Sequence, residues 1–322
     1  MLREENRKHV QMMVGIILLS ALLLALLPTQ LVAAKERPQP LTWHAVVGVE
    51  SSDHAIQGMA FLPHELWINV GDTVVWTVKS GDIHTVTFLK PGQTLPPFNA
   101  ADPLQALPQG GHIYDGKSYY NSGLMSSFPG LPVPGGTSYS LTFGVTGDFI
   151  YYCLVHPSMI GIVHVRPVGT PYPFSQEDYN KQIEHQTHFI LKDGASLADQ
   201  AEDSSDNHHV TVGIGDGLVG LMRFYPQQIV IDAGDTVIFT NRDPMEPHTV
   251  TFGPVPSSGD FAPYGNPRSF DGTTPLNSGF IGADPAWFGT TFTVTFVKSG
   301  IYHFRCDLHD YLGMLITIIV KP

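Results

Sequence analysis

The stretch Gly147-Asp-Phe149-Ile-Tyr151-Tyr-Cys153-Leu-Val-His156-Pro-Ser-Met159 decides how this chain is read, because it is written twice. The second copy is Gly300-Ile-Tyr302-His-Phe304-Arg-Cys306-Asp-Leu-His309-Asp-Tyr-Leu-Gly-Met314. In each copy aromatic side chains alternate up to a cysteine. Period two is the period of a strand, so Phe149, Tyr151 and Cys153 share one face, as do Tyr302, Phe304 and Cys306. Rings on that face predict that it looks into a core and that each thiol emerges at the end of a dry row. Cys153 and Cys306 are the two cysteines of the 322-residue chain. They hold the same place in two repeats, so a disulfide between them is not expected.

The repetition extends outward in constant order. Met59-x-Phe61-x-Pro63-x4-Ile68-x2-Gly71-Asp72-Thr73-Val74 recurs as Met222-x-Phe224-x-Pro226-x4-Ile231-x2-Gly234-Asp235-Thr236-Val237. His84-Thr-Val-Thr-Phe88 recurs as His248-Thr-Val-Thr-Phe252, and Asn121-Ser-Gly123 as Asn277-Ser-Gly279. Two homologous domains follow, 35–168 and 207–322, with a linker at 169–206. Strand candidates are Glu65–Asn69, Thr73–Val78, Ser138–Val145, Phe149–Cys153 and Gly161–Val165 in the first, and Thr291–Val297, Ile301–Cys306 and Leu315–Val320 in the second. Short Val/Ile/Phe/Tyr/Thr runs, with 32 glycines and 26 prolines between and around them, predict an all-β protein of two β-sandwiches. The inserts at 90–136 and 253–289 read as ordered loops over one end of each sandwich.

One thiolate, two imidazoles and a distant thioether form the donor set of a copper electron-transfer site: the soft sulfurs favour Cu(I), and imidazole accepts both oxidation states. His84, Cys153, His156 and Met159 supply it once, and His248, Cys306, His309 and Met314 supply it again. The loops are C-x2-H-x2-M and C-x2-H-x4-M. A lone Cys-x2-His is as well explained by a buried thiol near a core histidine; two complete sets at matching positions favour metal. In the second loop Leu312 stands where the shorter spacing would put its methionine, Asp310 replaces Pro157, and Ile316 stands where the first copy has Gly161. The threonine after each upstream histidine, Thr85 or Thr249, is either a hydrogen-bond partner of the cysteine loop or an ordinary strand residue.

These motifs resemble cupredoxins. The first loop is similar to that of amicyanins and the second to that of plastocyanins. The resemblance covers nearly all of both domains but not the N-terminus, the linker or the long inserts. It implies Greek-key sandwiches, one type 1 copper per domain and an electron-carrier role. It also implies that His156 and His309 approach the surface at the loop end, where a redox partner would dock. Copper nitrite reductases and multicopper oxidases are the enzymatic alternative, and a copper-delivery module is another. The enzymes resemble one another in having a histidine beside the ligand cysteine, and the oxidases carry His-x-His pairs. Here the neighbours are Tyr152 and Leu154, and Arg305 and Asp307, and no His-x-His pair occurs.

The formal net charge of −12 argues against nucleic acid as a partner and fits redox proteins with basic docking surfaces. Residues 1–34 carry a charged start, an apolar run from Met12 to Leu27 and the small-residue stretch Val32-Ala33-Ala34, the pattern of a signal peptide or of an N-terminal membrane anchor. Either places the body outside the cytoplasmic membrane, in the periplasm or at the extracellular face. In the linker, Ser175 and Asp178 predict the cap of a short helix, followed by a flexible acidic stretch at 201–206. Repeat-equivalent His44 and His209 and helix neighbours His185 and His188 read as surface residues, and His303 and His164 as outward strand residues.

Overall fold

The computed structural model describes residues 39–254 and 262–322. The leader or anchor expectation lies outside the described residues. None of the described helices is long and apolar enough to cross a membrane.

The first domain has ten strands: β1 (Thr42–Glu50), β2 (Ile56–Leu62), β3 (Glu65–Asn69), β4 (Thr73–Val78), β5 (Thr87–Phe88), β6 (Ile113–Tyr114), β7 (Tyr120–Asn121), β8 (Ser138–Phe143), β9 (Gly147–Tyr152) and β10 (Ile160–Arg166). One sheet runs β2-β1-β4-β8-β6 and the other β3-β10-β9-β5-β7. Their inner faces meet on Trp76, Phe88, Phe143 and Tyr151, all fully buried. The second domain comprises β11 (His209–Ile214), β12 (Val219–Leu221), β13 (Phe224–Tyr225), β14 (Gln228–Asp232), β15 (Thr236–Arg242), β16 (Thr251–Phe252), β17 (Leu276–Asn277), β18 (Thr291–Thr295), β19 (Gly300–Arg305) and β20 (Leu315–Lys321). Its sheets run β13-β11-β15-β18 and β14-β20-β19-β16-β17 around Phe239, Phe270, Phe296 and Phe304. In both domains the first strand pairs parallel with the strand after the Gly-Asp-Thr-Val turn (β1 with β4, β11 with β15). The expected strands are present: Glu65–Asn69 and Thr73–Val78 have the expected ends, and the ends of the others move by up to two residues.

The two sandwiches share a sheet. β12 pairs antiparallel with β2, its own counterpart in the other repeat, with Gln57 opposite the equivalent Gly220. The six-stranded sheet therefore crosses the domain boundary on a local pseudo-twofold. Two helices are present among the described residues, α1 (Pro103–Ala106) and α2 (Gln176–Asp203).

Helix α2 starts at the expected cap: Ser175 Oγ accepts from Asp178 N–H, and Asp178 accepts from Ser175 N–H. It is neither short nor followed by a flexible stretch at 201–206. It runs 28 residues, because Ile190 and Ala201 bury against Val49, Leu62, Val219, Leu221 and Tyr225 from both domains. Gly194 lets it lie close on the sheet, since a Cβ there would overlap Ile56. Asp206 is held too: its carboxylate accepts from the His208 and His209 N–H groups at the start of β11.

Candidate metal centres

Each centre is assembled from two parts of the sandwich. The upstream histidine lies just before the short strand β5 or β16, and the other donors come from the loop after β9 or β19. In the first domain Cys153 N–H donates to Met159 O (3.0 Å) and Met159 N–H to His156 O (2.9 Å), closing a tight loop. In the second, the two extra residues are taken up by a 3-10 turn at Asp310–Leu312 and by Gly313 at φ 89°. Cys306 N–H still donates to Met314 O (3.1 Å), so the loop closes the same way despite Asp310 in place of proline. Ile316 packs in the core opposite Phe304, whereas Gly161 makes room for the larger Tyr151.

The donors converge. In the first domain His84 Nδ1 lies 3.1 Å from His156 Nδ1, and Cys153 Sγ lies 3.9 and 3.6 Å from them. In the second, the corresponding distances for His248, His309 and Cys306 are 3.1, 3.8 and 3.6 Å. These are the separations of ligands around one ion with bonds of about 2.0–2.3 Å. All six residues are buried. Met159 and Met314 are buried in the same core clusters as their cysteines. Leu312 packs elsewhere, with Met59 and Met222.

Backbone and hydroxyl donors hold each thiol. Thr85 N–H points to Cys153 Sγ (3.4 Å), and Thr249 N–H to Cys306 Sγ (3.3 Å). The threonine hydroxyls reach the cysteine loops: Thr85 Oγ1 accepts from Leu154 N–H and Thr249 Oγ1 from Asp307 N–H, both at 2.8 Å. Of the two readings for these threonines, the loop-holding one is the geometry observed. The Asn-Ser-Gly motifs also brace the histidine segment, since Ser122 Oγ accepts from Val86 N–H and Ser278 Oγ from Val250 N–H, both at 2.8 Å.

The seats of His84 and His248 rest on two glycines that sequence reasoning missed. Gly48 (φ 63°) and Gly213 (φ 74°) lie at register irregularities of β1 and β11, and a Cβ on either would overlap the imidazole. They end the equivalent first-strand segments Trp43-His44-Ala-Val-Val-Gly48 and His208-His209-Val-Thr-Val-Gly213, so the signal was present in the repeat. The seats differ in one respect. His84 Nε2 lies 3.1 Å from Ser80 Oγ, whereas His248 Nε2 has no hydrogen-bond partner; Pro244 stands at the position of Ser80.

The electrostatics suit a cation. Burial pushes the Cys153 thiol up, but the neighbouring His156 and His84 outweigh it and hold the thiol down to about 5. Burial likewise opposes charge on His156, yet Glu246 and Cys153 raise it well above the ordinary imidazole value. His309 is raised to about 9 against burial, chiefly by Cys306. His248 is lowered well below the ordinary value by burial and by the charge on His309. Both shifts favour a thiolate beside imidazolium in the metal-free first centre, and a metal ion would supply the positive charge instead. The donor set, its spacing and its charge fit copper.

His156 and His309 are not at the surface. They are 1% and 4% exposed, because the two loop ends face each other across the domain boundary. Glu246, from the second domain, places Oε1 2.8 Å from His156 Nε2, and Asp82 Oδ2 lies 3.4 Å from it. Ser158 Oγ donates to Gly217 O, and Tyr311 packs on Phe128. Docking of the domains covers both histidine edges. Asp82 and Glu246 are repeat-equivalent, each two residues before an upstream histidine, and sequence reasoning passed over both.

The other histidines singled out in the sequence stay apart from these centres. His44, His185, His188, His209 and His303 are exposed, and His164 stacks on Trp67 beside Asp148. Both cysteines are free thiols.

The family model for copper binding proteins of the plastocyanin/azurin family matches residues 48–166 and 208–321. The chain belongs to this family. Among solved structures, the oxidised plastocyanin of Dryopteris crassirhizoma is 24% identical over 35% of this chain and 99% of its own, with a TM-score of 0.24. A mutant fern plastocyanin is 26% identical over 35% and 99%, TM-score 0.23. A reduced amicyanin mutant is 22% identical over 39% and 82%, TM-score 0.25. A search of curated proteins returns no match. In this tandem member of the plastocyanin/azurin family, both matched segments contain a full Cys/His/His/Met set.

Proposed function

We propose that each domain binds one type 1 copper, through His84, Cys153, His156 and Met159 in the first and His248, Cys306, His309 and Met314 in the second. The chain then carries single electrons between redox partner proteins. The observation that carries this reading is the pair of buried Cys/His/His triads with nearly identical donor separations. Bound copper supplies a one-electron couple. The protein residues do the rest: they hold the donors at fixed separations, keep water from the thiolate and stop the loops from relaxing when charge changes. Two domains offering non-equivalent loops give two centres of different character in one chain.

The acidic body suits partners with basic surfaces. Because the His156 and His309 edges are covered, such partners would meet a different face from that used by a single-domain cupredoxin. The N-terminal pattern favours export, with the body periplasmic or extracellular and either soluble or anchored. Reductive titration of the copper-loaded chain tests the carrier role. Two one-electron steps per chain, each bleaching a visible thiolate-to-copper band, support it. Bands that do not respond to reductant, or loss of metal on reduction, contradict it.

A further inference from the structure

Between the two centres lies a second kind of donor cluster. Asp82, His156 and Glu246 are all buried, and one ligand atom of each lies within 4.8 Å of the others. Asp82 Oδ1 is engaged by Ile83 N–H at 2.7 Å, which leaves Oδ2 turned to His156 without a hydrogen-bond partner. His156 Nε2 makes no hydrogen bond of good geometry either, although it is within ion-pair distance of Glu246 Oε1 at 2.8 Å. The copper triads likewise gather their donor atoms within 3.1–3.9 Å of one another. Neither carboxylate is paired with lysine or arginine among the described residues. Two buried carboxylates from different domains converge on the one free nitrogen of His156, which puts oxygen and nitrogen donors for a cation together in a dry place.

The cluster is built rather than incidental. Ser80 Oγ accepts from Asp82 N–H at 3.1 Å, and Asp243 Oδ1 accepts from Glu246 N–H at 2.9 Å, so each carboxylate stands on a fixed turn. Asp82 and His156 come from the first domain and Glu246 from the second.

We propose that Asp82 Oδ2, His156 Nε2 and Glu246 Oε1 form a third metal site on the domain boundary, for one divalent first-row transition ion of the zinc(II) type. Mixed imidazole and carboxylate donors suit that class, whereas the thiolate sites select copper. The observed separations of 2.8 and 3.4 Å match donors about 2.0–2.2 Å from a common ion. On binding, the Nε2 proton leaves to solvent and the His156 ring bridges the new ion and the first copper centre. The ion is enclosed, so its work is to tie the domains together and to raise the reduction potential of the first centre.

The copper-loaded full chain, dialysed against zinc(II) and then against metal-free buffer, should retain one zinc per chain. Crystals should show anomalous zinc density between the three side chains, and the potential of one copper centre should rise on zinc addition. Glu246→Gln and Asp82→Asn should each lower zinc affinity at least tenfold and abolish the potential shift. The copper bands report separately on the copper reading and on folding. Zinc density elsewhere, equal zinc retention by the variants, or a wild-type crystal with no density at this position would overturn the proposal.

Discussion

A methyl group on Gly213 would overlap the imidazole of His248, and one on Gly48 would overlap that of His84. At positive φ a side chain is strained as well, so both positions need glycine for two reasons. Gly213→Ala should therefore displace His248 and weaken copper at the second centre by about 10–100-fold, the range for loss of a group that orients a ligand. A competitive chelator titration measures it, and affinity of the first centre serves as the internal reference. Thr85→Val should act in the same direction at the first centre by removing the hydroxyl that accepts from Leu154 N–H. The pH dependence follows from His309. In the metal-free chain this imidazole, raised to about 9, is protonated at neutral pH. Copper must displace that proton, so affinity of the second centre should rise with pH below about 9, by at least about tenfold per unit. An affinity that is flat or falls over the same range contradicts the assignment of His309 as ligand.

At the scale of elements, the strands before the cysteines were legible because period two and alternating rings leave little choice. Helix α2 was legible only at its start. Ser175 and Asp178 state the cap locally, whereas the helix persists to Asp203 because Ala201 and Ile190 find partners in both domains, a tertiary fact that local composition does not carry. Its acidic C-terminal end looked like a solvated stretch for that reason. The donor residues were legible as motifs, and the glycine seats only as unexplained repeats, since their purpose is an imidazole that is distant in sequence. Gly194→Leu tests the close approach of α2 to the shared sheet. It should destabilise the protein by about 1–3 kcal/mol through overpacking against Ile56, read from chemical denaturation. Ser175→Ala, at the legible end, should cost about 1 kcal/mol.

Across the whole molecule, the repeats are joined by β12 on β2, by α2 lying over both, and by the ligand loops meeting head to head. Sequence alone could not reveal the last of these, because which residues of two domains meet depends on docking and not on either domain's pattern. Asp82 and Glu246 were invisible as a pair for that reason, and the expected surface position of His156 and His309 failed with it. Such a junction predicts that the domains unfold together. Calorimetry of the metal-free chain should give one transition, and Leu221→Asp, which places a charge in the buried junction, should split it into two or lower it markedly. Stepwise copper titration of the full chain, followed by visible absorption, bears most directly on the two-centre reading. Two tightly bound equivalents should appear, each with intense thiolate-to-copper colour, and Cys153→Ser and Cys306→Ser should each remove one. A chain that stays colourless with copper, or that binds a single equivalent lost equally in both variants, would contradict it.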